Sequence, residues 1–105
     1  RINGSSNADN YGDIGFYAVD LSYNPVSSTT RGATNYYTFA AGYSATASGS
    51  ISAVLGGALN VASGDYSATV GGYKNTASSY GEVALSILNT DLPAASATSA
   101  TSSAT

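Results

Sequence analysis

The chain contains no cysteine, histidine, methionine or tryptophan, only two prolines, and charged residues at just 9% of its 105 positions. Without Cys or His it offers no donor set for zinc and no axial ligand for haem, so no cofactor is expected. The basic residues are Arg1, Arg31 and Lys74, and the net charge is −3. That leaves no cationic surface to displace counterions from nucleic acid. No apolar run approaches the roughly 20 residues that span a bilayer, so membrane insertion is not expected either. The acids Asp9, Asp13, Asp20, Asp65, Glu82 and Asp91 are scattered. They read as solvated loop charge rather than as clustered calcium ligands, and they supply no paired general acid and base. The chain is therefore not expected to be an enzyme.

What remains is small. Ala, Ser, Gly and Thr make up 59 of the 105 residues, and Tyr, with nine copies, is the principal large side chain. Such a chain cannot fill a thick core and sits where burial of its own apolar surface leaves little stability.

A fixed period organises the centre. Residues 47–61 read ASGSISAVLGGALNV, residues 62–76 read ASGDYSATVGGYKNT, and residues 77–86 continue as ASSYGEVALS. One period earlier, residues 33–46 read ATNYYTFAAGYSAT, with Gly42 in the place of Gly57 and Gly72. The columns Tyr36/Ile51/Tyr66, Thr38/Ala53/Ala68/Val83 and Ala40/Leu55/Val70/Leu85 are spaced by two and mostly apolar, which predicts the buried face of a strand. The intervening column Tyr37/Ser52/Ser67/Glu82 is mostly polar and is expected outside, as is Lys74. Gly42 and the pairs Gly56-Gly57 and Gly71-Gly72 mark corners, because glycine permits positive φ and close chain approach. A phosphate loop would need a helix start and a Lys-Ser/Thr that are absent. A second short strand follows through Asn60–Ala62 and Asn75–Ala77. Two short strands and two tight turns in about fifteen residues predict an all-β fold, a short parallel β-roll or β-solenoid assembled with other copies.

The units AVLGGALNVASG and ATVGGYKNTASS, with TFAAGYSATASG before and EVALS after them, resemble the head repeats of trimeric autotransporter adhesins, the YadA-like heads. The resemblance covers residues 33–86, about half of the chain. It implies a left-handed parallel β-roll whose three chains associate side by side at the outer end of a cell-surface fibre. The Asn-Ser-Val-Ala-Ile-Gly string of matrix-binding heads is missing, with only Ala53–Gly56 and Ala68–Gly71 as partial matches, so collagen binding is not implied. Stalk heptads and a membrane anchor are also absent from this sequence.

Three regions result: a strand and loop region over 1–32, the repeat region over 33–88, and a Ser/Ala/Thr-rich tail over 89–105. Residues 11–23, YGDIGFYAVDLSY, carry two apolar alternating sets, which predicts a strand covered on both faces and hence a partner chain. The tail AASATSATSSAT is expected against another copy. Asn3 fits the N-glycosylation pattern, and Ser96, Thr98, Ser99 and Thr101 are candidate O-glycosylation positions. Most tyrosines are expected in the roll and its interfaces, with Tyr43 and Tyr73 as candidate surface contacts. An ice-binding face would need regular Thr ranks, and the outward column Phe39/Val54/Thr69/Ala84 is irregular. The functional expectation is a self-associating structural or adhesive extracellular protein, as homotrimer or filament, with a host-surface or polysaccharide ligand. The alternative is a carbohydrate-binding receptor module of a phage or virus tail fibre.

Overall fold

The computed structural model describes residues 8–85. Asn3, Ser96, Thr98, Ser99, Thr101 and the tail lie outside the described residues, as does the stretch from Asn89 to Pro93. A short 3-10 turn, Ala8–Asn10, precedes nine strands. These are β1 (Val19–Tyr23), β2 (Gly32–Ala33), β3 (Phe39–Tyr43), β4 (Thr46–Ala47), β5 (Ala53–Val54), β6 (Val61–Ala62), β7 (Ala68–Gly71), β8 (Thr76–Ala77) and β9 (Val83–Leu85). Odd-numbered strands form a five-stranded sheet in the order β1-β3-β5-β7-β9, and even-numbered strands a four-stranded sheet in the order β2-β4-β6-β8. Every pairing is parallel. The chain is a parallel β-solenoid of about 4 turns with a coil spacing of about 15 residues. Each coil satisfies its backbone on the next, which is how strands of two residues persist at all.

The coil length is not constant. Val61 pairs with Thr76 and Ala53 with Ala68, fifteen residues apart, but Phe39 pairs with Ala53 and Ala33 with Ala47, fourteen apart. Gly42, Gly57 and Gly72 nevertheless stack, because the coils of Gly57 and Gly72 each carry one more residue at the corner, Gly56 and Gly71. Upstream, Val19 pairs with Phe39, twenty residues on, and the extra length lies in the loop between β1 and β2. The stack therefore begins at Val19, inside the region set apart from the repeats by sequence.

From Ile51 onward the expected phase of the strands is reversed, whereas one coil earlier Thr38 and Ala40 are buried and Tyr37 is exposed as expected. Ser52 and Ser67 are each 2% exposed, whereas Ile51 is 47% and Leu55 52% exposed. Tyr66, Val70 and Leu85 also face out, and Ala53 and Ala68 are half-buried. The inward columns are Thr38/Ser52/Ser67, Asp20/Ala40/Val54/Thr69/Ala84 and Ala33/Ala47/Ala62/Ala77. Two sheets joined by such short corners leave a narrow lumen, and close-packed interiors admit only the volume available. Ala, Ser, Thr and one Val fit there; Leu, Ile and Tyr do not. Fixed by the coil pairing, the side-chain period of two then drives the large residues outward. The column containing Val54 and Thr69, expected outside, is thus the axis of the core.

Two further expectations fail for the same reason. The strand at Val19–Tyr23 is not apolar on both faces: Val19, Leu21 and Tyr23 are exposed, and its inward residues are Asp20 and Ser22, both wholly buried. Asp20 is therefore no solvated loop charge. Of the nine tyrosines only Tyr11 is buried within its own chain, which leaves the other eight for the expected interfaces between chains.

Candidate functional site

The corners between strands are built by left-handed residues in register. Tyr17, Tyr37, Ile51, Tyr66 and Gly81 form one such column, with φ of 55°, 54°, 54°, 60° and 69°. Ser44, Leu59 and Lys74 form a second, at 54°, 59° and 59°. Positive φ turns the peptide over and reverses its hydrogen bond. The N–H groups of Tyr37, Ile51, Tyr66 and Gly81 donate back to the carbonyls of Phe16, Tyr36, Ser50 and Asp65 on the preceding coil, at 2.8–2.9 Å. Two residues later the N–H groups of Phe39, Ala53 and Ala68 donate forward to Ser52, Ser67 and Glu82. The second column behaves alike: Ser44, Leu59 and Lys74 donate back to Tyr23, Tyr43 and Ala58. A bulky or β-branched residue is strained in this region of backbone space, so these positions are held by the hydrogen bonds of neighbouring coils.

The consequence is an outward sheet face bounded by aromatic rows. Tyr17, Tyr37 and Tyr66 stand along one margin; the Tyr17 and Tyr37 rings stack at 5.5 Å and Tyr66 meets Tyr80 edge-on at 5.1 Å. Tyr23, Tyr43 and Tyr73 stand along the other, where Tyr23 and Tyr43 approach to 6.0 Å. Tyr43, at the end of β3, and Tyr73, just beyond β7, both singled out by sequence, are exposed and separated by Ala58, which bridges to both. Lys74 Nζ lies 5.4 Å from the Tyr73 ring centre. Between the margins runs the column Val19/Phe39/Ala53/Ala68/Val83, and beside it lie the pair Leu21/Ala41 and the exposed Leu55, Val70 and Leu85, where an irregularity at Val70 sets Leu85 opposite Gly71. Among the described residues no charged side chain lies between the margins of this face, and Lys74 stands at its edge beside Tyr73. Tyr17, Tyr37 and Tyr66 were not singled out by sequence; their shared place at the left-handed corner is set by the fourteen-residue coil, which the fifteen-residue alignment hides.

The first coil is closed by polar side chains. Tyr11 Oη donates to the Ser22 carbonyl and accepts the Asn24 N–H, both at 2.9 Å, as a neighbouring strand would. Asp20 Oδ1 accepts the Ser22 N–H at 3.0 Å and its hydroxyl at 2.6 Å. Asn10 and Asn24 exchange side-chain to carbonyl bonds, and Arg31 Nη1 donates to Asn24 Oδ1 at 2.8 Å. Gly12 and Gly15 donate to the carbonyls of Arg31 and Ala33, beside β2. At the far end, Glu82 Oε1 accepts the N–H groups of Ser78 and Ser79, at 2.8 and 3.0 Å. One coil earlier the equivalent donors, Ser63 and Gly64, bond the Ala77 carbonyl instead. A carboxylate there stands in for the carbonyl of a following coil.

Glycine is required at some corners and not at others. Gly42, Gly57 and Gly72 have φ of 105°, 82° and 92°. A Cβ on Gly42 would lie 2.6 Å from the Gly57 carbonyl oxygen, and one on Gly57 would run into that of Gly72. Gly56 and Gly71 have open space and no positive φ. Gly49 and Gly64, which sequence reasoning did not single out, are buried, and a Cβ on either would strike the carbonyl of the next coil at Gly64 or Ser79. The recurring Ser-Gly of the repeat was their signal.

Among the described residues there is no pocket, no group of His, Cys, Asp and Glu able to hold a metal ion, and no helix long and apolar enough to cross a membrane. Comparison with family models, with curated protein sequences and with solved structures finds no match.

Proposed function

We propose that the chain is a structural or adhesive module of an extracellular surface fibre, working as an assembly of identical copies. The observation that carries this reading is the outward face of the five-stranded sheet, where Leu21, Tyr43, Leu55, Val70 and Leu85 are exposed together without an intervening charge. A contiguous apolar face on a solenoid whose lumen holds little more than Ala, Ser and Thr is poorly explained in an isolated chain. The resemblance of the repeats to trimeric autotransporter heads agrees with a fibre-tip role and with side-by-side association. A second reading, a carbohydrate-binding module of a tail fibre, draws on the exposed Tyr17, Tyr37 and Tyr66 rings, since flat aromatic surfaces suit the apolar faces of sugars.

Electron microscopy of the purified protein at modest dilution tests the first reading. Discrete oligomers or filaments are expected; a uniform population of single 10.4 kDa particles by sedimentation at micromolar concentration would overturn it. Retention on immobilised polysaccharide, abolished by Tyr37→Ala and Tyr66→Ala, is the outcome expected of the second.

A further inference from the structure

Resting on the self-association reading, the geometry points to one particular contact: two copies pair face to face through the outer surface of the five-stranded sheet, related by a two-fold axis. The face is not flat. At its centre Ala53 and Ala68 pair directly and form a shallow groove; beside it Leu55 and Val70, both exposed, form a ridge. Groove and ridge are neighbours on the same face: Ala68 and Val70 both belong to β7, and Leu55 directly follows β5, which carries Ala53. A two-fold axis through the face between them seats each copy's ridge in the other's groove, as an isologous contact requires. Two sheets packed in this way lie about 10 Å apart, with their side chains interdigitating.

Area and charge both favour a second copy as the occupant. The exposed large side chains of this face present on the order of 1,000 Å² of accessible surface, against about 800 Å² per partner in a standard interface. A face whose one nearby charge, Lys74, stands at the Tyr73 margin meets its own copy without repulsion at its centre, although the chain as a whole carries −3. A strongly acidic or basic partner would find no charge between its margins to pair. The ends of the stack compete less well, because the Tyr11 hydroxyl, the Asp20 carboxylate and the Glu82 carboxylate already meet backbone groups there.

Sedimentation velocity across a concentration series tests the pairing on the full chain, with Leu55→Arg and Ala68→Arg as separate variants and Thr76→Arg, on the exposed outer side of the other sheet, as control. The variant side chains point outward, and circular dichroism checks that each variant keeps its β-structure. The wild type and Thr76→Arg are expected to form dimers or even-numbered assemblies, with Leu55→Arg and Ala68→Arg shifted at least tenfold towards monomer. A folded wild-type monomer throughout would overturn the self-association reading itself. Assemblies that survive both face variants would overturn the face-to-face contact while leaving self-association standing. Trimers dissolved by the face variants would overturn the two-fold pairing alone.

Discussion

Asn60 Oδ1 accepts the main-chain N–H of Asn75, one coil further on, at 2.8 Å. The same amide donates from Nδ2 to the carbonyls of Gly56 and Gly72, at 2.8 and 3.0 Å. Asn75 repeats part of the pattern by donating to Gly71 at 2.9 Å. Each asparagine thus ties the second strand of its coil to the glycine corner before it. An amide suits the place because it carries donors and an acceptor on one rigid plane.

Replacing Asn60 by Ala removes three hydrogen bonds at a wholly buried position and leaves the Asn75 N–H without its acceptor. The expected loss is about 2–4 kcal/mol, read as a lower midpoint in urea followed by circular dichroism. Asn60→Asp keeps the acceptor but turns an anionic oxygen towards two carbonyls. Burial and those carbonyls raise the folded-state pKa of such a carboxyl, so the folded form binds its proton more tightly. The variant should therefore be closest to wild type, relative to the same pH, in acid, and should lose ground as pH rises.

The glycines separate into two groups that an alanine scan distinguishes. Gly56→Ala and Gly71→Ala meet open space at ordinary φ, so each should stabilise the fold by about 0.4–1 kcal/mol through reduced freedom of the unfolded chain. Gly49→Ala and Gly64→Ala push a methyl into a carbonyl of the next coil and should cost about 1–3 kcal/mol or abolish folding. Thermal melting of the four variants checks the contrast; equal effects of Gly56→Ala and Gly49→Ala would contradict the corner geometry.

The period, the parallel strands and the stacked Gly42, Gly57 and Gly72 were legible because each is a property of sequence spacing. The direction of the side chains was not. Ile51, Leu55 and Val70 have the pattern of a buried strand face, and only the width of the lumen decides against them. That width follows from the short connections between the two sheets, down to Ser44-Ala45 between β3 and β4, and from the pairing of Ala33, Ala47, Ala62 and Ala77, none of which hydropathy measures. The abundance of Ala, Ser and Thr held the answer, since a chain with so few large residues builds the core its small residues can fill. Asp20 was hidden for a related reason: its partners are the Ser22 N–H and hydroxyl and the Ala33 N–H, at 3.3 Å, and such contacts leave no mark in local composition.

Among the described residues the lumen contains two hydroxyls, Ser52 Oγ and Thr69 Oγ1, that are buried without a hydrogen-bond partner. Thr38 and Ser67, in the Ser52 column, instead donate to the carbonyls of Asn35 and Gly64, at 2.9 and 2.6 Å. Thr69→Val keeps the branched shape between Val54 and Ala84 and removes a desolvated polar atom. Stability should rise by about 1–2 kcal/mol in urea denaturation. Ser67→Ala, which deletes a satisfied hydroxyl, should lower it, and the opposite signs are the test.

Ile51 links the strain of the corner to the proposed contact. It is β-branched and held at φ 54°, where a side chain of that shape is disfavoured by about 1–2 kcal/mol and where asparagine is tolerated far better. The backbone does not release it, because its N–H is fixed on the Tyr36 carbonyl at 2.8 Å. Ile51 is also half exposed on the outer face, beside the Ala53 and Ala68 groove, so its own chain leaves about half of its apolar surface uncovered. Ile51→Asn should therefore act in two directions at once. At dilutions where the protein is monomeric, its melting temperature should rise, consistent with a gain of about 1 kcal/mol. At higher concentration the same variant should associate more weakly than the wild type, because a polar amide replaces an apolar side chain at the contact. A variant that is both less stable as a monomer and unchanged in assembly would contradict the strain at this corner and the use of this face together.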